Sequence, residues 1–505
     1  MTLVDAGIPL PPEARRVIRT RAAGLALVLL LAGCASSGLT IDKQTTGALP
    51  DPPKPAAAAA APVEMDAAAQ REHERILAAY NGVYENPQIE AMVSETVEKL
   101  VAASDRPDLH YRITLLNSPV VNAFALPSGQ LYVTRGLVAL ANDSSELASV
   151  MSHEMAHVIA HHAEIREDRA RQVALVNRMV ANGVLSDPEV GALALAKSKI
   201  ALASFSRAQE FDADAMGVGI AAKAGFDPYG AARFLTALGH DSELRQSGQT
   251  SIDPRAPDFL SSHPATPERV KNAQAKAREL GVAGGERDKA EYLAAIDGLF
   301  YGDDPSEGLV RGRRFLHPRL GFTFTAPEGF TLDNTAQAIL GVKEGGGEAL
   351  RLDVVRVPIE QTLADYLASG WIENIDTKSI DNYPINGFPA STAIAKGDQW
   401  TFRLFAVRFG SDVYRFIFAT KHMTPEIDRS FRDSVATFRR MSLAESKATR
   451  PLRLKIVTVA NGETVEQLAS RMAVSDHKVE RFRILNGLEA NDRLHPGDQV
   501  KMVVE

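Results

Sequence analysis

The chain has 505 residues, is 45% hydrophobic and 24% charged, and carries a formal net charge of −7 with a single cysteine. Those values fit soluble globular protein of about three domains. They exclude wholesale disorder, a polytopic membrane protein and a strongly basic nucleic-acid binder. One thiol excludes an internal disulfide framework and a cysteine-rich zinc finger. Twelve histidines are present, and four of them fall at positions 153, 157, 161 and 162.

At the N-terminus, Arg15, Arg16, Arg19 and Arg21 precede a short apolar run from Ala22 to Ala32. That run has the length of a signal-peptide core and is short for a bilayer span. It ends in Leu31-Ala32-Gly33-Cys34, which resembles a bacterial lipobox. The resemblance implies that residues 1–33 are a signal peptide and that lipidated Cys34 is the membrane anchor. Ala35 in place of aspartate favours the outer membrane, by analogy with enterobacterial lipoproteins. Residues 34–66 are rich in proline and alanine and poor in large apolar side chains, so they read as a tether.

Residues 67–300 are dominated by helical spacing. Ile76, Leu77, Tyr80 and Val83 begin a helical stretch over 70–101 that breaks near Asn86-Pro87. Short strands are expected at Ile113–Leu116 and Gln130–Thr134. A helix over 143–163 starts on Asp143 with Glu146 three residues later, an N-terminal capping pattern. Further helices are expected near 166–182, 188–203, 207–224, 228–239 and 266–280.

After Tyr301-Gly302-Asp303-Asp304-Pro305 the composition shifts. Strands are expected at 321–326, 349–357, 400–409 and 413–420, with helices at 362–370 and 425–438. This is an α+β accessory domain over 315–440 with no catalytic spacing. Residues 455–505 carry Gly462-Glu463-Thr464-Val465, Asn486-Gly487-Leu488 and Leu494-His495-Pro496-Gly497-Asp498 in order. The set resembles a LysM module, implying a β-α-α-β fold and a peptidoglycan partner. Glu463 stands where that family usually has aspartate.

The sharpest motif is His153-Glu154-Met155-Ala156-His157. On a helix, positions i and i+4 share a face, so both imidazoles can reach one ion while Glu154 takes a proton from its water. Three protein ligands plus water make a catalytic zinc site. A metzincin would need histidine at 163 and glycine at 160, and both are alanine. His161 lies a further turn along and reads as solvent-facing or packed, and His162 as a structural or supporting residue. Glu210 and Asp214 form a second i, i+4 pair. Glu210 can ligate while Asp214 takes a hydrogen bond from a ligating histidine.

This motif, followed by SRAQEFDADAMG at 206–217 and preceded by Asn122–Gly136, resembles metallopeptidase family 48, the gluzincins that include HtpX-like proteases and the CAAX prenyl endopeptidases. The resemblance covers roughly 75–285. It implies one Zn2+ per chain on His153, His157 and Glu210, with Glu154 as catalytic acid and base. It also implies a multidomain α+β chain headed by a mainly helical gluzincin domain. The oxyanion stabiliser is left open between Arg207 and His263, and His263 could instead cover the zinc as a removable ligand. The family members that cut prenylated proteins have several membrane helices, and none is expected here after residue 33.

Together these features lead to the expectation of a zinc endopeptidase on the periplasmic face of the bacterial outer membrane. Its substrates would be unfolded or misassembled envelope proteins, bound in extended form along an edge strand from 122–134. The alternative is a peptidoglycan-binding lipoprotein scaffold or chaperone with a latent protease domain. Nucleic acid is not expected as a partner.

Overall fold

The computed structural model describes residues 65–166, 206–247, 259, 263–264, 266–281, 284–335, 337–370, 372 and 374–505. The signal segment, Cys34, nearly all of the tether and the helices expected between 167 and 205 lie outside the described residues.

The chain enters through helix α1 (Ala67–Ala79), capped by the Asp66 carboxylate, which accepts from the backbone N–H groups of Ala68 and Ala69. Asn86 caps α2 (Pro87–Ala103), and Pro87 occupies the first turn, where a missing N–H costs nothing. A small sheet follows: β1 (Arg112–Leu116), β2 (Ala123–Ala125) and β3 (Gln130–Thr134). Its order is β1-β3-β2, with β3 parallel to β1 and antiparallel to β2. β2 is therefore an edge strand.

Helix α3 (Arg135–Leu140) leads into α4 (Ser144–Ile159), whose N-cap is Asp143. Every residue of α4 from Ser144 to His157 is buried. It packs against α2, β2, α5 (Arg207–Lys223) and α6 (Gly230–Ser247). A helix buried on all faces carries polar side chains only where partners meet them. At its N-terminus Arg233 meets that demand, pairing with Asp143, Glu146 and Asp227. Close approach of α5 depends on Gly217, where a Cβ would lie 3.0 Å from the backbone nitrogen of His153. Helices α7 (Pro267–Leu280) and α8 (Lys289–Ile296) complete this part.

Residues 309–440 build two antiparallel sheets. The larger contains β7 (Phe330–Asn334), β8 (Ile339–Lys343), β9 (Glu348–Arg356), β10 (Ile375–Asn382), β11 (Ala390–Lys396), β12 (Thr401–Phe409) and β13 (Asp412–Thr420). Its order is β10-β11-β12-β13-β9-β8-β7. The smaller runs β14-β6-β5-β4, from β4 (Leu309–Arg311), β5 (Arg314–His317), β6 (Phe322–Thr325) and β14 (Arg439–Arg440). Phe315 and Phe324 of the small sheet, Phe405 and Phe416 of the large one, and Phe431 of α10 (Pro425–Ala436) share one core. The short α9 (Leu363–Ala368) covers the opposite face of the large sheet through Leu363 and Leu367. α11 (Leu443–Ala448) follows.

The C-terminal segment runs strand, helix, helix, strand: β15 (Arg453–Thr458), α12 (Val465–Ser470), α13 (Lys478–Leu485) and β16 (Gln499–Val504), with the strands antiparallel. Leu454, Leu468, Phe482 and Met502 belong to the same hydrophobic core as Leu137, Leu147 and Met151 of the helical part. Lys501 reinforces the joint. Its buried Nζ donates to the carbonyls of Ala139, Leu140 and Ala141 at 2.8, 3.1 and 2.8 Å, capping the open end of α3.

Candidate metal centre

His153 and His157 project from the same face of α4, as their spacing requires, and Glu210 meets them from the first turn of α5. The Nε2 atoms of the two histidines are 3.1 Å apart. Glu210 lies 3.7 Å from His153 Nε2 through Oε2 and 3.5 Å from His157 Nε2 through Oε1. All three side chains are buried.

The outer nitrogen of each ring faces a side chain of the same cluster. Asp214 Oδ1 sits 3.1 Å from His153 Nδ1. His162 Nδ1 sits 2.9 Å from His157 Nδ1, and the other nitrogen of His162 is 3.5 Å from Asp212. With the protons on Nδ1, both histidines present Nε2 as an acceptor toward the Glu210 carboxylate. Acceptors so arranged repel one another unless a cation lies between them. Tetrahedral ligands about 2.1 Å from a zinc ion stand about 3.4 Å apart, and the observed separations bracket that value. The donor set fits a divalent metal, with His153, His157 and Glu210 as its holders.

His263 joins the same cluster. Its Nδ1 is 3.0 and 3.2 Å from the two oxygens of Glu210 and 3.3 Å from His153 Nε2. One ligand atom from each of His153, His157, Glu210 and His263 lies within 4.8 Å of the others. The His263 ring stacks on Phe259 at 4.6 Å, and its Nε2 is 3.7 Å from Glu154 Oε1.

Burial sets the protonation of these groups. It lowers His153 and His157, keeping both imidazoles neutral as metal ligation requires. It carries His263 down to about 3, helped by the Arg269 charge. Burial also raises Glu210. Glu154 is raised well above the ordinary carboxylate range by burial, then by the Glu210 charge; the Ala125 backbone N–H and Arg269 act in the opposite direction. Burial works against the ionised form of Asp214, yet hydrogen bonds from Arg269 and His153 outweigh it and hold the group at about 2.

Arg269 is the principal residue that sequence reasoning did not name. From the start of α7 its Nη1 lies 2.7 Å from Glu210 Oε2, while Nε and Nη2 each donate to Asp214 at 2.7 Å. Nη1 also donates to the Pro264 carbonyl at 3.2 Å, tying the His263 loop to the same clamp. Arginine in the first turn of a charged helix gives no sequence signal of burial. Arg207, considered for the oxyanion, is three-quarters exposed and pairs with Glu268 at 3.9 Å. His161 is exposed beside Glu164, where its backbone adopts a positive φ of 54°.

Residues 87–277 match the model described as Peptidase family M48. This stretch of the chain is a family M48 peptidase domain. A Beta-barrel assembly-enhancing protease of Escherichia coli is 28% identical over 217 residues, covering 41% of this chain and 43% of that protein. Mitochondrial metalloendopeptidase OMA1 of Schizosaccharomyces pombe is 28% identical over 182 residues, 36% of this chain and 51% of its own length. The Arabidopsis thaliana protein of that name is 31% identical over 180 residues, 35% of this chain and 34% of its own. The chain thus spans roughly half or less of the curated relatives it matches.

Proposed function

We propose that this chain is a zinc-dependent endopeptidase held by lipid at Cys34 on the periplasmic face of a bacterial outer membrane. It would cut unfolded or misassembled envelope proteins. The observation that carries the reading is the convergence of the His153 and His157 Nε2 atoms and the Glu210 carboxylate beside the buried Glu154, inside the M48 domain.

A zinc ion on His153, His157 and Glu210 would acidify its water and polarise the scissile carbonyl. Glu154 acts as base on the attacking water and then as acid toward the leaving amine. The Ala125 N–H, from the edge strand, holds the Glu154 carboxyl in place. An extended substrate adds to the free edge of β2 through main-chain bonds, which favours segments that are not folded. His263 lies in the same cluster, where it would hold the metal as a further ligand and would have to leave before a substrate carbonyl entered.

Support for the setting comes from the lipobox and from the relatives named for β-barrel assembly. No helix among the described residues is long and apolar enough to cross a membrane. The strand-helix-helix-strand order of 453–504 suits a LysM-like module that holds the enzyme near peptidoglycan. Cleavage of casein tests the activity: chelator should abolish it and one equivalent of zinc should restore it. Cleavage that persists at full rate after metal removal would overturn the reading. Cys34→Ser tests the anchor, since the protein should leave the membrane fraction.

A further inference from the structure

A cavity of about 340 Å3 lies where the helical part, the middle sheets and the C-terminal segment meet. Its walls include Val120 and Val121 from the loop before β2, Leu244 of α6, Phe300, and Ile484 and Leu485 of α13. Three arginines line it as well, Arg135, Arg245 and Arg481, with Asp241 and Asp333; Arg245 is paired with Asp241.

Arg135 is 1% exposed. Its Nε donates to Asn117 at 2.9 Å and its Nη1 to the Phe300 carbonyl at 3.0 Å, but its Nη2 has no acceptor. Asp303 and Asp304 lend opposing charge from nearby, yet each is committed elsewhere, to the Val310 N–H and to Asn117. Arg481 donates from Nη2 to Asp476 at 2.8 Å and also interacts with the Tyr301 hydroxyl, while its buried Nε has no hydrogen-bond acceptor. A buried donor left unmade costs about 1–3 kcal/mol, so a pair of them on one cavity calls for an acceptor. Guanidinium edges suit a carboxylate above other acceptors, and the surrounding walls suit an apolar body.

We infer that this cavity is a binding site for a monocarboxylate with an apolar body, the carboxylate taken by Arg135 and Arg481. A free fatty acid and the C-terminal residue of an apolar peptide share that chemistry. The wall is also continuous with the metal centre. Val121 accepts the Phe259 N–H at 2.9 Å, and Phe259 stacks on His263.

Calorimetric titration of the full-length chain tests the inference with four probes: octanoate, octanamide, N-acetyl-phenylalanine and its amide. At least one carboxylate should bind with one-to-one stoichiometry, and its amide at least tenfold more weakly. Whichever acid binds more tightly identifies the source as lipid or peptide. Leu244→Trp, which fills the cavity and leaves Arg135 untouched, should weaken the bound acid at least tenfold. It also separates this site from carboxylate capture at the metal. The inference is overturned if neither acid binds, if the amide binds as well as its acid, or if Leu244→Trp binds like the parent chain.

Discussion

Asp214 approaches His153 on the nitrogen that faces away from the cluster, with Oδ1 3.1 Å from Nδ1. That contact favours the proton on Nδ1 of His153 and so turns Nε2 toward the cluster as a ligand atom. Asp214→Ala should weaken metal binding by roughly 10- to 100-fold, the usual effect of losing such a partner. Competition for zinc against a chromophoric chelator would measure it. Unchanged affinity would mean that Arg269 and burial orient the ring without Asp214.

His162 plays the matching part for His157, at 2.9 Å between their Nδ1 atoms. His162→Phe keeps the ring volume and removes the acceptor. The same competition should show roughly tenfold weaker zinc binding. His161→Ala, one residue earlier but exposed, should leave it unchanged.

Much of this centre was legible in the sequence because its contacts are made within helices. His153 with His157 and Glu210 with Asp214 are i, i+4 pairs, and the 3.6-residue period places each pair on one face before any tertiary contact is known. Asp143 was legible as a cap for the same reason, and it does accept the Glu146 N–H. Arg269 was not legible: it meets Asp214 across 55 residues, and no local period reports such a contact. The strands at 349–357, 400–409 and 413–420 were recognisable from their β-branched and aromatic runs. β10 and β11 were not: one is rich in charge and exposed, the other is built largely of small residues. The joint at Lys501 was hidden too, since a lysine near the C-terminus ordinarily signals a solvated surface.

Lys501→Met should expose that joint. The substitution leaves the carbonyls of Ala139, Leu140 and Ala141 buried without their donor. The expected loss is about 1–3 kcal/mol of stability, read as a lower urea midpoint for the helical part that holds α4. If only the C-terminal segment loosened while the helical part kept its midpoint, the shared core would not be one cooperative unit.

His317 gives the middle sheets a pH dependence. Burial, aided by Arg319, lowers it to about 4, and its neutral Nδ1 accepts the Leu320 N–H at 3.3 Å. The unfolded chain takes up this proton near pH 6.5 and the folded chain only near 4. The contribution is therefore complete above about 6.5 and is lost as pH falls toward 4, by at most ~3 kcal/mol. His317→Asn should flatten this part of the profile. Urea midpoints for both proteins at pH 7 and pH 5 would show it, and parallel losses in the two would exclude His317 as the cause.

The most direct measurement compares Glu154→Gln with the parent chain for both zinc content and casein cleavage. Glu154 lies beside the ligand set without belonging to it, so the variant should hold one zinc per chain. Its cleavage rate should fall by roughly 10²- to 10⁴-fold, the usual contribution of a positioned acid and base. A zinc-loaded variant that cuts casein as fast as the parent would contradict the account, because peptide hydrolysis would then not pass through this carboxylate.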